Sequence, residues 1–317
     1  MTDLISENLQ KRPGLVVDGA MATELEKMGV DTDNDLWSAT ALIEKPEAIL
    51  AVHKSFFQAG ADIAITNTYQ ANVAKFMKMG LSKKASQDLI IKAVQLADQA
   101  RKQYYDSLPA NERNKRAKYP LVAGSVGPYG AYLADGSEYR GDYQLTEKEF
   151  MDFHRSRMSL LDQAGVDLFA FETQPSFAES KALVNLLKHE FPQQTAWLSF
   201  SIKDLETLCD GTPLQDAVKY FNVFDQIAAI GVNCTTLENI DQAVKNIRAV
   251  TSKPIIVYPN NGDIYDPATK TWTKTQHKDD FAELTPQWLA DGADLIGGCC
   301  RTTPADIKSI ASFINKN

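Results

Sequence analysis

Cys299 and Cys300 stand side by side in the run LIGGCCRTTP, directly after a short apolar stretch with the character of a buried strand. Adjacent residues hold their side chains in directions that oppose disulfide geometry, so these two thiols are poorly placed to bridge each other. In a reducing compartment such thiols serve as metal ligands or reactive groups more often than as cross-links. Gly297 and Gly298 bare the backbone just before them, as a closely approached site requires. Cys234 closes another apolar run, AAIGVNC, 65 residues earlier. That separation is far too long for a local zinc knuckle, but it suits strands of one barrel that deliver their ends to opposite sides of its rim. Three thiolates around Zn2+ leave a fourth tetrahedral position open, which distinguishes a catalytic zinc from a structural one. A single free Cys is ordinarily a small buried hydrophobe; three at strand C-termini point to the metal. Cys209, in the loop run TLCDGTPLQ, has no partner in this pattern and reads as a bystander.

Other strand ends are polar in a way that core packing does not require. Asp18-Gly19, Thr66-Asn67-Thr68, Ser125, Glu172-Thr173 and Asn233 each follow or end an apolar run. Asp18 taken alone fits a helix cap equally well. Glu172, at the end of FAFE, is a carboxylate whose desolvation is costly unless a cation or donor meets it. Two carboxylates at one mouth, Asp18 and Glu172, suit the α-ammonium group of an amino acid. His53, His154 and His189 fall in helical segments and His277 in a long loop. With no HExxH and no GxSxG, His-carboxylate metallohydrolases and serine hydrolases are disfavoured.

A weak internal repeat predicts the elements that position these groups. QAGADIAIT (from Gln58), QAGVDLFAFE (from Gln163) and ADGADLIGGC (from Ala290) each join a helical segment, a capping Gly and an apolar strand. A helix that ends on Gly and feeds a buried strand is half of a βα unit, and its recurrence implies a parallel sheet. The pattern predicts strands at Leu15–Asp18, Ile63–Asn67, Leu121–Val126, Leu168–Glu172, Ala196–Ile202, Ala228–Cys234, Pro254–Pro259 and Asp294–Cys299. Helices are expected at Ala48–Ala59, Ser86–Tyr105, Glu147–Ala164, Phe177–His189, Pro213–Phe224, Leu237–Val250, Asp279–Ala290 and Pro304–Ile314, with Thr-Pro starts at Thr212 and Thr303. Eight such units fit a (β/α)8 TIM barrel, in one domain spanning residues 1–317. A doubly wound sheet is the rival, but no Gly-x-Gly-x-x-Gly follows the first strand. Surplus length falls in the loops Gly29–Pro46, Tyr129–Tyr143 and Asn260–Lys278, all after strands and hence on the active-site face. The charged stretch Asn111–Lys118 reads as a solvated loop.

The chain has 317 residues, 44% hydrophobic and 23% charged, and a formal charge of −8. It is long enough to bury a core without disulfides, and its acidity disfavours nucleic acid or an anionic membrane as partner. The N-terminal run MTDLISENLQKRPG has no apolar signal region, and no long apolar span follows, so a cytoplasmic protein is expected.

Together DGAMATELE, TNTYQ, AGSVGPYGAYLADGSEYRGDY, FETQPS, GVNCT and GGCCRTTP resemble the homocysteine S-methyltransferase family, from Asp18 to Pro304. Within it, GPYGAYLADGSEYRGDY is most similar to the branch that uses S-methylmethionine as methyl donor. The resemblance implies Zn2+ held by Cys234, Cys299 and Cys300, with homocysteine gripped near Asp18, Gly19, Thr66, Glu172 and Asn233. Cys234-Thr235-Thr236-Leu237 departs from the prolines with which many members continue, so the loop after the sixth strand is expected to sit differently. The chain ends soon after the eighth helix, without the long extension of the tetrameric betaine-using branch, which weakens betaine as donor and leaves the oligomeric state open. A sulfonium is already an activated leaving group and needs no general acid. Trp37, Tyr129, Tyr132 and Tyr139, in the mouth loops, are candidates to face its charge, Trp37 and Tyr132 foremost. S-adenosylmethionine, betaine or a folate-bound methyl are the alternative donors, and selenocysteine the alternative acceptor. A zinc-storing or redox-sensing barrel is the alternative outside enzymology.

Overall fold

The computed structural model describes residues 3–115, 119–266, 271–273 and 281–315. Eight strands run parallel: β1 (Leu15–Val16), β2 (Ile63–Ile65), β3 (Leu121–Val126), β4 (Leu168–Gln174), β5 (Ala196–Phe200), β6 (Ile227–Asn233), β7 (Ile255–Tyr258) and β8 (Leu295–Ile296). From β2 onward each pairs with the next in sequence, and β8 pairs with β1. The ring closes between β1 and β2 at one bridge, Val17 to Ile63. Outside it lie α1 (Pro46–Ala59), α2 (Lys83–Ser107), α3 (Glu147–Ala164), α4 (Phe177–Glu190), α5 (Leu214–Phe221), α6 (Ile240–Arg248), α7 (Phe281–Asp291) and α8 (Pro304–Ile314). This is the (β/α)8 barrel that the sequence predicts.

Alternation along the strands divides the apolar side chains between two layers. Leu15, Val17, Ile63, Leu121, Leu168, Trp197, Ile256 and Leu295 point inward and fill the barrel, together with Ile5 from the short helix Leu4–Leu9. Val16, Ala64, Phe169, Phe171, Ile230 and Val257 point outward against the helices. The interior is therefore a packed core rather than a pore.

The recurring Gly-x-Asp has a definite task in this ring. Gly60, Gly165 and Gly292 end α1, α3 and α7 with φ of 112°, 87° and 109°, a left-handed turn that a side chain would strain. The Asp that follows then fastens the seam to the preceding strand. Asp62, Asp167 and Asp294 accept from the backbone N–H of Val16, Val122 and Ile255, at 2.9, 2.7 and 2.8 Å. Each also pairs with an arginine: Arg12, Arg101 and Arg248 respectively.

Several boundaries differ from expectation. β1 and β8 are shorter than predicted, since Asp18 and the Gly297–Cys299 backbone leave the ladder to build the mouth. The sixth helix begins as a 3-10 turn, Leu237–Asn239. Thr303 caps α8 in a reciprocal pair with Asp306, but Pro213 rather than Thr212 is the cap of α5. The stretch after Asn111 is not simply loop, because Ala110–Lys115 is helical. The long loops also hold structure: 3-10 turns at Trp37–Thr40 and Ser137–Tyr139, and short helices at Ala41–Glu44 and Tyr129–Leu133. Ile264–Asp266 and Thr271–Thr273 form a hairpin after β7, while His277 and the predicted start of α7 at Asp279 lie outside the described residues. Among the described residues no helix is long and apolar enough to cross a membrane.

Candidate active site

Cys234 follows the last residue of β6, and Cys299 and Cys300 follow β8. Strand order places only β7 between them, so they are next-but-one neighbours and not on opposite sides of the rim, as their separation suggested. Their ligand atoms all lie within 4.8 Å of one another, with Cys234 Sγ and Cys300 Sγ 3.6 Å apart. Two sulfurs on a tetrahedral Zn2+, at about 2.3 Å each, would be separated by about 3.8 Å. The donor set thus matches a metal-binding sulfur triad in both chemistry and spacing.

The backbone holds this triad in place through the end of β7. Cys234 N–H donates to Tyr258 O at 3.1 Å, Cys299 N–H to Pro259 O at 2.7 Å and Cys300 N–H to Asn260 Oδ1 at 3.1 Å. Cys234 has φ of 55° and Arg301 has φ of 67°, left-handed values that a non-glycine residue adopts only under constraint. A Cβ on Gly298 would come within 2.4 Å of Thr302 Oγ1, so the chain can fold the vicinal cysteines inward only without a side chain there. Hydrogen bonds from Cys299 and Cys300 hold the Cys234 thiol well below its ordinary pKa, and the same sharing raises the other two. Of the three sulfurs, Cys234 is the one on which negative charge is best accommodated.

The sulfurs border a cavity of about 400 Å³ at the mouth of the barrel. Asp18, Gly19, Thr66, Glu172 and Trp37, all expected from sequence, line it together with the three cysteines and Tyr139. Asp18 is buried and accepts from Ile65 N–H at 3.0 Å; burial raises its pKa well above the usual range, and Glu172 adds to this. Glu172, also buried, accepts from the hydroxyl of Ser125, yet burial pushes it up to about 7. Thr66 Oγ1 accepts from Ser125 N–H at 3.0 Å, and a Cβ on Gly19 would meet Phe56 at 2.8 Å. The mouth is thus a chamber lined by buried carboxyl groups and partly apolar.

Asn233 is fully buried and does not line the cavity. Its amide oxygen accepts from Thr173 N–H at 2.8 Å and Ser199 Oγ at 2.7 Å, while its nitrogen donates to Thr173 Oγ1 at 2.8 Å. Thr173, like Cys234, is left-handed, with φ of 55°. Asn233 therefore ties together the two strained strand ends that carry Glu172 and Cys234. Tyr129 and Tyr132 also lie away from the cavity. They pack on Phe153, and Tyr132 takes hydrogen bonds from Lys75 and Lys78, both at 2.9 Å.

Three further groups were not apparent from the sequence. Tyr69 lines the chamber and meets Trp37 edge-on, with ring centroids 6.0 Å apart. Glu138 lines it as well; burial pushes its pKa to about 7, and the Cys234 thiolate adds to the rise. Both sit in runs singled out for their resemblance, TNTYQ and GSEYRG, but nothing in their spacing separates a lining residue from its neighbours. The third is a buried network under the loop after β3. Arg157 donates to the carbonyls of Tyr69 and Gly127 and contacts His154, which meets Glu179 at 2.8 Å. Glu179 also accepts from Tyr129 N–H and from the Tyr143 hydroxyl, anchoring the loop that carries Glu138 and Tyr139.

A family model described as homocysteine S-methyltransferase matches residues 15–314. Homocysteine S-methyltransferase YbgG of Bacillus subtilis is 48% identical over 309 residues, covering 98% of this chain and 97% of that protein. Homocysteine S-methyltransferase of Escherichia coli is 49% identical over 303 residues, covering 95% and 96%. The crystal structure of the metallated homocysteine methyltransferase MmuM from Escherichia coli superposes with a TM-score of 0.85 at 46% identity, covering 96% of this chain and 98% of that one. With a matching sequence, a matching barrel and a sulfur-rimmed mouth, this chain belongs to the homocysteine S-methyltransferase family.

Proposed function

We propose that the protein moves a methyl group from a sulfonium donor, S-methylmethionine foremost, to the thiol of L-homocysteine, forming methionine, with Zn2+ held by Cys234, Cys299 and Cys300. The observation that carries the proposal is the meeting of three cysteine sulfurs at one edge of a chamber whose other walls are carboxylates and aromatic rings. A free thiol with a pKa of about 8.5 is mostly protonated at neutral pH, and a bound zinc would supply the Lewis acidity that deprotonates it. On this reading Asp18 and Glu172, which both line the chamber, take the α-ammonium group of homocysteine. Gly19 permits close approach of the backbone, and Thr66 fixes the floor beside Ser125. Asn233 serves the same site from behind by fixing the ends of β4 and β6. Trp37 and Tyr139 cover the chamber and offer ring faces to a cation. A sulfonium is already an activated leaving group, so no protein base is invoked.

We read the whole chain as one domain and place it in the cytoplasm, where its four free cysteines would stay reduced. Purified zinc-loaded protein, given homocysteine with S-methylmethionine, S-adenosylmethionine or betaine in turn, should form methionine fastest from S-methylmethionine. Selenocysteine in place of homocysteine tests the alternative acceptor. Cys300→Ser should lose both bound zinc and turnover; full activity of wild-type protein after exhaustive chelation would end the zinc assignment.

A further inference from the structure

The three buried carboxylates that line the chamber are not equally satisfied. Asp18 has the Ile65 N–H, and Glu172 has the Ser125 hydroxyl. Glu138 is 8% exposed, and its Oε2 is buried with no hydrogen-bond partner. The neighbouring cations are engaged elsewhere: Arg140 pairs with Asp135 and Asp142, and Lys75 donates to Tyr132 O. A metal centre of one Zn2+ and three thiolates would carry a net charge of −1, so it would not balance Glu138 either. A buried carboxylate oxygen without a partner is costly, and it persists where a ligand completes it. Three rings, Tyr69, Tyr139 and Trp37, line the same chamber and suit a charged group that is also bulky and apolar.

We propose that Glu138 is the residue that selects a cationic methyl donor, its unpartnered carboxylate oxygen completing an aromatic-walled subsite for the positive charge. This rests on the sulfonium-donor reading above and adds to it a single specificity-determining side chain. When the methyl departs, the donor becomes a neutral thioether and its attraction to Glu138 disappears. Glu138 thus favours binding of substrate over retention of product.

The test is equilibrium binding of S-methylmethionine and of methionine, its neutral thioether counterpart, to zinc-loaded wild type and Glu138→Gln. Wild type should favour the cation. Glu138→Gln should weaken S-methylmethionine by about 10- to 100-fold, as expected for loss of a buried charge-assisted contact. Methionine affinity and zinc content should stay near wild type, and Glu138→Asp should keep part of the preference. Removing an uncompensated buried charge should also leave the ligand-free melting temperature unchanged or higher. An unaltered affinity ratio in Glu138→Gln overturns the proposal. So does a lowered melting temperature with loss of zinc, which would make Glu138 a structural residue. A wild type that methylates homocysteine only from an uncharged donor would overturn the sulfonium reading itself, a result separable from a failure of Glu138 alone.

Discussion

His53 sits on α1 at 0% exposure, and neither ring nitrogen has a hydrogen-bond partner. Burial lowers its pKa from 6.5 to about 4. The unfolded chain therefore takes up a proton near pH 6.5 that the folded protein refuses until near pH 4. The stability that neutral His53 leaves intact above pH 6.5 drains away as pH falls through that window, by up to about 1.4 kcal/mol per pH unit. His53→Leu removes both this titration and a buried unsatisfied N–H. The variant should be more stable by about 1–3 kcal/mol at pH 7, with a gap that widens at pH 5. Urea unfolding at the two pH values checks it; a constant difference would show that His53 finds a partner in solution. Its helical position was legible from the sequence, but its burial without partners was not, because that depends on what neighbouring elements bring to it.

At the scale of elements, the three Asp seams show what a repeated motif can and cannot disclose. Gly60-Ala61-Asp62 and its relatives announced a helix end and a strand start. They did not announce the arginines, because Arg12, Arg101 and Arg248 lie 50, 66 and 46 residues from their partners. Asp167→Ala would strand the Val122 N–H and leave the Arg101 guanidinium, which is largely buried, with Asp98 as its remaining carboxylate. A loss of about 2–4 kcal/mol is expected. Because this seam joins the starts of β3 and β4, at the end of the barrel away from the sulfurs, kcat should remain unchanged. Thermal unfolding and steady-state kinetics of the same preparation decide the matter; a fall in kcat would mean that the seam steers the mouth. The cysteines were legible for a related reason. Strand ends were recognisable as apolar runs followed by polar residues, and a barrel gathers strand ends. That Asn233 would brace the site while Asp18 would line it was not legible, since both share that pattern and differ only in the direction of the side chain.

For the molecule as a whole, closure of the ring is the step on which the site depends. β1 contributes two residues to the sheet and meets β2 at a single bridge, so this seam has the fewest rungs. Asp18 strengthens it, giving its backbone N–H to Ile63 O at 3.0 Å and accepting from Ile65 N–H through its carboxylate. Amide protons of Asp18, Asp62 and Ile65, whose hydrogen bonds cross this seam, should exchange with solvent sooner than those of the β4–β5–β6 arc. Native-state hydrogen exchange tests this, and uniform protection around the barrel would refute it.

The double duty of Asp18 constrains anyone who wishes to retrain this scaffold for a new acceptor. The carboxylate that we propose meets an incoming amino acid is also the rivet that keeps the cylinder shut, so Asp18→Ala would loosen the vessel as well as empty it. Redesign should begin with lining residues that fasten nothing, and leave this one alone.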